Sequence, residues 1–191
     1  MAALISPADL PESLSGRSDI SRLIIAASSL AEQFCRRTFS REIGRVETHD
    51  GGDWAEIWLR LTPVETVTLV THNGSTVSEF VFNPETGRLR RGDGCGDIDF
   101  SEWFPAGADN ISVTYTGGYA KIPEEIKEAV VIGVTNLVRE KNRDIGLQSE
   151  NIGGEYSWTA KTDTTDRYWI FGNTGKSLLR GFRRSGKYVI G

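Results

Sequence analysis

The segment Asn110–Arg143, NISVTYTGGYAKIPEEIKEAVVIGVTNLVREKNR, constrains the fold more than any other stretch of these 191 residues. Ile111, Val113 and Tyr115 alternate with Ser112, Thr114 and Thr116, the period-two pattern of a half-buried strand. Gly117 and Gly118 then predict a tight change of direction, because glycine takes positive φ without steric cost. Pro123 suits the first helical position, and Glu124 and Glu125 complement the positive end of the helix dipole. Ile126, Ala129, Val130, Gly133, Val134, Leu137 and Val138 follow at helical spacing, with Val131 and Ile132 widening the stripe. Lys141 and Arg143 close the last turn. A helix apolar over more than half its circumference is central to a bundle or shared with a neighbouring subunit. Nothing in the segment is a catalytic candidate, which points towards assembly.

A second helix is predicted over Ser18–Arg37, capped by Ser18 or Asp19. Ile20, Leu23, Ile24, Ala27, Leu30, Ala31 and Phe34 share one face. Ser21, Arg22, Ser28, Ser29, Glu32 and Gln33 occupy the other. Ser6–Leu10 reads as a short capped helical turn. No charged region followed by a long apolar run precedes it, so no signal peptide is expected, and no apolar run is long enough to span a bilayer. A soluble protein follows from that reading.

Between the helices the chain is β-rich. Val46–Thr48, Trp54–Leu61 and Val64–Thr71 read as strands, the last turned by His72-Asn73-Gly74. Phe80–Phe82 pairs with Arg88–Arg90 across Asn83–Gly87. The expected class is α+β: a small helical bundle of two main helices plus short terminal helices, with an inserted antiparallel β-sheet subdomain. Its parts are N-terminal helices over 1–37, a β-rich insert over 38–119, a long helix over 120–145, an extended loop or hairpin over 146–175 and a basic segment over 176–191. No repeat or linker predicts a second independent domain.

Five cations and no acid fall within Lys176–Gly191, although the net charge of the chain is −4. An acidic body with a basic end suggests a segment that docks on an acidic partner or nucleic acid; the plain alternative is a solvated helix end. Cys35 and Cys95 form neither a disulfide framework nor a metal spacing, which fits a reducing compartment. Chemistry is nearly absent. Gly172-Asn173-Thr174-Gly175-Lys176-Ser177, after a possible strand Tyr168–Phe171, imitates a phosphate loop. It has two residues between its glycines where wrapping a phosphate needs four. His49 and His72 read as exposed turn histidines without ligand partners. Asp93, Asp97 and Asp99 miss the calcium-loop spacing. No cofactor, metal or catalytic residue is assigned. In Gly146–Gly175, Tyr156 and Trp158 on one strand and Tyr168 and Trp169 on another make a hairpin whose aromatics suit a protein interface, or fold back onto the body.

Several ordered pieces then combine: Leu23–Ala27 leading to Phe34-Cys35-Arg36-Arg37-Thr38-Phe39, Leu61-Thr62-Pro63-Val64 with Val67 and Val70, Thr86–Leu89, Val113–Tyr119, Pro123 opening the long helix, and the Ser149–Tyr156 loop with Gly153 and Gly154. In order and spacing they resemble the head–tail connector (adaptor, head-completion) family of tailed bacteriophages. The resemblance runs to about Trp158; Gly181-Phe182-Arg183-Arg184 stands where relatives carry a Pro-Tyr-Arg-Arg-like segment, and the 146–175 stretch is longer than usual. It implies a structural virion protein, not an enzyme, assembled in the host cytoplasm. It implies a ring, commonly a dodecamer, under the portal protein at the neck of the virion. Such a ring extends the DNA channel, lets genomic DNA pass without specific binding, and offers a surface to stopper or tail-completion proteins. No membrane is involved. On that model the two long helices pack in the ring. Leu178, Leu179, Arg180, Phe182, Arg183 and Arg184 dock on the portal, and deletion of Lys176–Gly191 should abolish docking while leaving the domain folded. A stopper or tail-completion protein of the same junction, a DNA-binding module and a small enzyme are the alternative classes.

Overall fold

The structure is a computed structural model. It describes residues 3–92, 103–142, 149–152, 156–159 and 166–184, with 149–152 and 156–159 described by their backbone alone. Cys95 and the aspartates at 93, 97 and 99 lie outside the described residues, as does Arg143. The chain divides into two compact units, Met1–Arg36 with Pro123–Arg183, and Arg37–Ile122 with Arg184–Gly191.

The first unit is helical. A short 3-10 turn, Pro7–Asp9, is fastened by the Ser6 N–H and hydroxyl, which both donate to the Asp9 carboxylate at 2.7 and 2.8 Å. Helix α1 spans Glu12–Ser15, α2 Ile20–Cys35, α3 Glu124–Lys141 and α4 Gly172–Arg180. Pro123 sits at the cap position of α3, one residue before the helix, where its fixed φ of −55° is compatible and no N–H is wasted. Asp19 precedes α2 but does not cap it, because Arg17 at 3.0 Å and Lys141 at 2.5 Å take its carboxylate. The buried face of α2 also differs from the apolar stripe. Ser28 and Glu32, expected on the polar side, are buried, whereas Leu30 and Phe34 are only half-buried. Ser28 turns inward because the N-terminal segment crosses it there: the Leu4 N–H donates to its hydroxyl at 3.1 Å. A buried N–H needs such a partner.

Helix α3 packs against α4 and the 3-10 turn Trp169–Phe171 before it. Gly133 permits this approach: a Cβ there would stand 3.0 Å from the Phe171 ring and 3.3 Å from Ile170. Asn136 Nδ2 donates to the Ile170 carbonyl at 2.8 Å and fixes the turn. Tyr168–Phe171 is therefore neither a strand before a phosphate loop nor the second arm of a hairpin. Trp169–Phe171 is a 3-10 turn, with Ile170 and Phe171 both buried. Gly172–Ser177 belongs to α4, and no loop is available to wrap a phosphate. The hairpin lies earlier, between β8 (Ser149–Ile152) and β9 (Tyr156–Thr159).

The second unit is β. Strands β1 (Glu42–Gly51), β7 (Gly107–Gly117), β3 (Val64–His72) and β4 (Ser75–Thr76) form an antiparallel sheet in that order. Strands β2 (Glu56–Trp58), β6 (Arg88–Arg91) and β5 (Phe80–Phe82) form a second. Two sheets thus stand where one was expected. Both contribute to one core, with Ile57 and Leu89 from the smaller and Val64, Val70, Ile111, Val113 and Tyr115 from the larger. The chain leaves β7 at Gly118, whose φ of +89° and whose approach to the Ser40 carbonyl (2.4 Å from a Cβ built there) both require glycine. The expected strand Trp54–Leu61 is shorter, because 59–62 crosses from one sheet to the other and pairs with neither.

Candidate functional site

Strand β1 carries the polarity of its two faces reversed. Val46 and Ile43 are 61% and 76% exposed, while Glu47 is 4% exposed. The register explains it: Arg45 lies opposite Tyr115, Glu47 opposite Val113 and His49 opposite Ile111, so alternate residues of β1 join the core-facing rows of β7. His72 flanks Ile111 from β3 in the same register. The histidines are therefore strand residues, not exposed turn residues, and the His49 side chain is only 12% exposed. They lie on β1 and β3, with Ile111 of β7 between them. Among the described residues no cluster of His, Cys, Asp and Glu could hold a metal.

Glu47 is the centre of a polar lock. It accepts the Tyr115 hydroxyl at 2.7 Å, the Arg60 N–H at 2.9 Å and Arg45 Nε at 2.7 Å, and His49 Nε2 lies 3.5 Å away. Burial pushes the carboxyl pKa up. The His49 ring, the Arg60 N–H, the Tyr115 hydroxyl and the Arg45 charge together outweigh burial and bring it down to about 2. The Tyr115 phenol moves the other way: burial and the Glu47 anion push it well above the ordinary range. A carboxylate saturated in this way neither gives nor takes a proton near neutrality, so its task is structural.

The lock grips the crossover 59–62. The Leu61 N–H donates to the Tyr115 hydroxyl at 2.9 Å, and the Leu59 N–H to the Gly87 carbonyl at 2.8 Å. Arg184 donates to the Arg60 and Leu59 carbonyls at 2.9 and 3.0 Å, and Arg37 donates to the Thr62 carbonyl. Burial and the neighbouring Arg37 charge lower the Arg184 pKa. Side chains thus supply the partners that a ladder strand would have supplied.

The residues expected to dock on a partner separate accordingly. Leu179 is fully buried and its carbonyl accepts the Cys35 thiol at 3.5 Å, so it offers no surface. Arg184 is half-buried and occupied by the crossover. Leu178 and Phe182 are half-buried, and Arg180 and Arg183 are exposed. Deletion of Lys176–Gly191 would remove buried Leu179 and the Arg184 clamp, so the remainder would not keep its packing. Tyr156 and Trp158 lie in β9, and their side chains are outside the described residues. Trp169 is 41% exposed. Tyr168 is half-buried, edge-on to Phe34 with centroids 5.2 Å apart, a contact no sequence pattern announced.

A helical unit and a two-sheet unit make up the fold, and the described polar groups around Glu47 are spent on internal hydrogen bonds. The sequence model of the head completion protein family matches residues 11–168, and the chain belongs to that family. It is a structural protein of the head–tail connection. Solved structures share its fold, among them three from gene transfer agent particles. One, titled as the neck of a native GTA particle with C12 symmetry, is 16% identical, with 97% of this chain and 93% of that chain covered and a TM-score of 0.55. The neck of an empty GTA particle with C6 symmetry is also 16% identical, with the same coverage and a TM-score of 0.57. A chain from the virion of a native gene transfer agent is 17% identical, with 89% and 80% covered and a TM-score of 0.51. No curated protein is significantly similar to the chain.

Proposed function

We propose that the protein is the adaptor of the neck, a ring of identical copies seated under the portal protein. The ring extends the DNA channel, and stopper or tail-completion proteins build on it. The observation that carries this reading is the family match over residues 11–168, supported by a fold shared along nearly the whole chain with necks described in C12 and C6 symmetry. Copies in such a ring meet head to tail and close without leaving a free end. Genomic DNA would pass without specific binding, since bound phosphates are held by cations and the chain has 26 acids against 22 cations. Portal docking belongs to exposed parts of the C-terminal region, Arg180 and Arg183 with the outer sides of Leu178 and Phe182. Assembly takes place in the host cytoplasm. Tyr156, Trp158, Tyr168 and Trp169 are the proposed contacts to neighbouring subunits or the tail.

Imaging of purified particles with a tag on this chain tests the reading. Density for several copies between the portal and the first tail ring is expected. Location at the tail tip or inside the head would refute it, and a position one layer below the first ring would favour a stopper instead.

A further inference from the structure

The first unit presents an arginine–aromatic platform. The Arg183 guanidinium lies over the Phe34 ring, 5.6 Å from its centroid, and Tyr168 meets the same ring edge-on. Arg36 follows Phe34 by two residues and Arg167 directly precedes Tyr168; both are exposed. Among the described residues no carboxylate pairs with Arg36, Arg167 or Arg183. Asp166, the nearest acid in sequence, is held by Lys176 and accepts the Tyr168 N–H at 3.0 Å. Several other arginines do pair with acids: Arg17 with Asp19, Arg41 with Glu65 and Arg45 with Glu42 and Glu47.

Arg36 adds an independent sign. It ends α2 in the left-handed region at φ 54°, where glycine is the usual residue and a side chain is strained. The helix would end as well or better with glycine, so the arginine is not there for the cap. Strain kept at an exposed position whose side chain bonds to nothing described is a mark of a surface in use.

We infer that this platform binds a carboxylate-bearing segment of a partner protein that also carries an apolar side chain. The Arg183 guanidinium over Phe34 supplies a planar, two-pronged donor for a carboxylate, exposed Arg36 and Arg167 beside these residues in sequence add positive charge, and the half-buried rings of Phe34 and Tyr168 receive the apolar group. Duplex DNA matches the charge but keeps its base faces stacked inside the helix, whereas a protein segment can lay a whole apolar side chain on the rings, so the aromatic floor favours protein. The inference rests on the neck reading, deepening its docking surface with the chemistry of the partner; it moves the contact from the C-terminal stretch alone to a composite of α2, the turn before α4 and the end of α4.

The test uses the full-length protein and a short synthetic peptide of alternating glutamate and leucine, followed by amide and arginine side-chain resonances. Shifts gathered at 34–36, 167–169 and 180–183 are expected, with affinity falling at least about tenfold in the double variant Arg36→Glu, Arg183→Glu and falling as salt rises. Arg183→Lys, which keeps the charge and loses the planar fork, should weaken binding less; it also serves if the double variant unfolds. Absence of shifts, shifts elsewhere, binding indifferent to these substitutions, or equal displacement by a short DNA duplex would each overturn the platform. Peptide binding is independent of particle location, so failure here and failure of the neck position are read separately.

Discussion

Tyr115→Phe removes one oxygen from the core and should be among the most damaging conservative changes in the second unit. That oxygen donates to Glu47 at 2.7 Å and accepts the Leu61 N–H at 2.9 Å, in a side chain with no exposure. A hydrogen bond to a charged group contributes about 1.5–3 kcal/mol, and a buried N–H left without a partner costs about 1–3 kcal/mol. Phenylalanine keeps the ring, so no large cavity term is added. With partial relaxation the loss should be about 2–4 kcal/mol, a fall in Tm of roughly 5–15 °C for a chain of this size. Urea unfolding followed by tryptophan fluorescence gives the total, and hydrogen exchange at the Leu61 amide tests the local cause. Where two transitions are seen, the one compared is that of the second unit, in which Tyr115 lies. A loss under about 0.5 kcal/mol, with the Leu61 amide still protected, would refute the claim that this hydroxyl holds the crossover.

The same lock sets a pH dependence. The folded Glu47 pKa is depressed from 4.5 to about 2, so its contribution is complete above about 4.5 and is lost as the pH falls towards 2. That amounts to about 3 kcal/mol, and Glu47→Gln should flatten this part of an acid titration of stability, which circular dichroism can follow. Arg184→Ala leaves the Leu59 and Arg60 carbonyls without their donors and should cost about 1–2 kcal/mol, whereas exposed Arg183→Ala should cost at most about 1 kcal/mol; equal effects in chemical denaturation would contradict the division between clamp and platform. Gly133→Ala pushes a methyl to 3.0 Å from Phe171 and should destabilise the first unit by about 1–3 kcal/mol despite alanine's better helix propensity; a gain in its melting temperature would show that α3 and the Trp169–Phe171 turn are not in tight contact.

Elements with strong local patterns were legible in the chain: α2, α3, β3, β7 and the β5–β6 pair all lie where periodicity and turn residues place them. The hairpin tip Asn73-Gly74, with φ of 49° and 78°, follows the same rule. The family was legible too, because it is carried by the order of these pieces. What escaped reading depends on contacts between distant residues. Leu179 looked like surface in an amphipathic tail, but it is fully buried and its carbonyl meets Cys35 of α2. Tyr168 and Trp169 read as a strand until Gly133 gave Phe171 a seat that only a tight turn can reach. The paired arginines Arg183-Arg184 look interchangeable, yet one stacks on Phe34 and the other bonds to Leu59 and Arg60.

Strand β1 marks the boundary between the two kinds of information. Its sequence alone marks only Val46–Thr48 as extended and leaves His49 in a turn; once the strand is seen to run from Glu42 to Gly51, Arg45, Glu47 and His49 share a face, because side chains alternate along any strand. It also assigns the ionisable residues to water, since burying a charge without partners is costly. Only the tertiary structure reverses that assignment, by bringing the Tyr115 hydroxyl and the Arg60 N–H to a carboxylate far from them in sequence. Local pattern sets which residues share a face; which face is buried depends on whether the rest of the chain supplies enough hydrogen bonds to replace water.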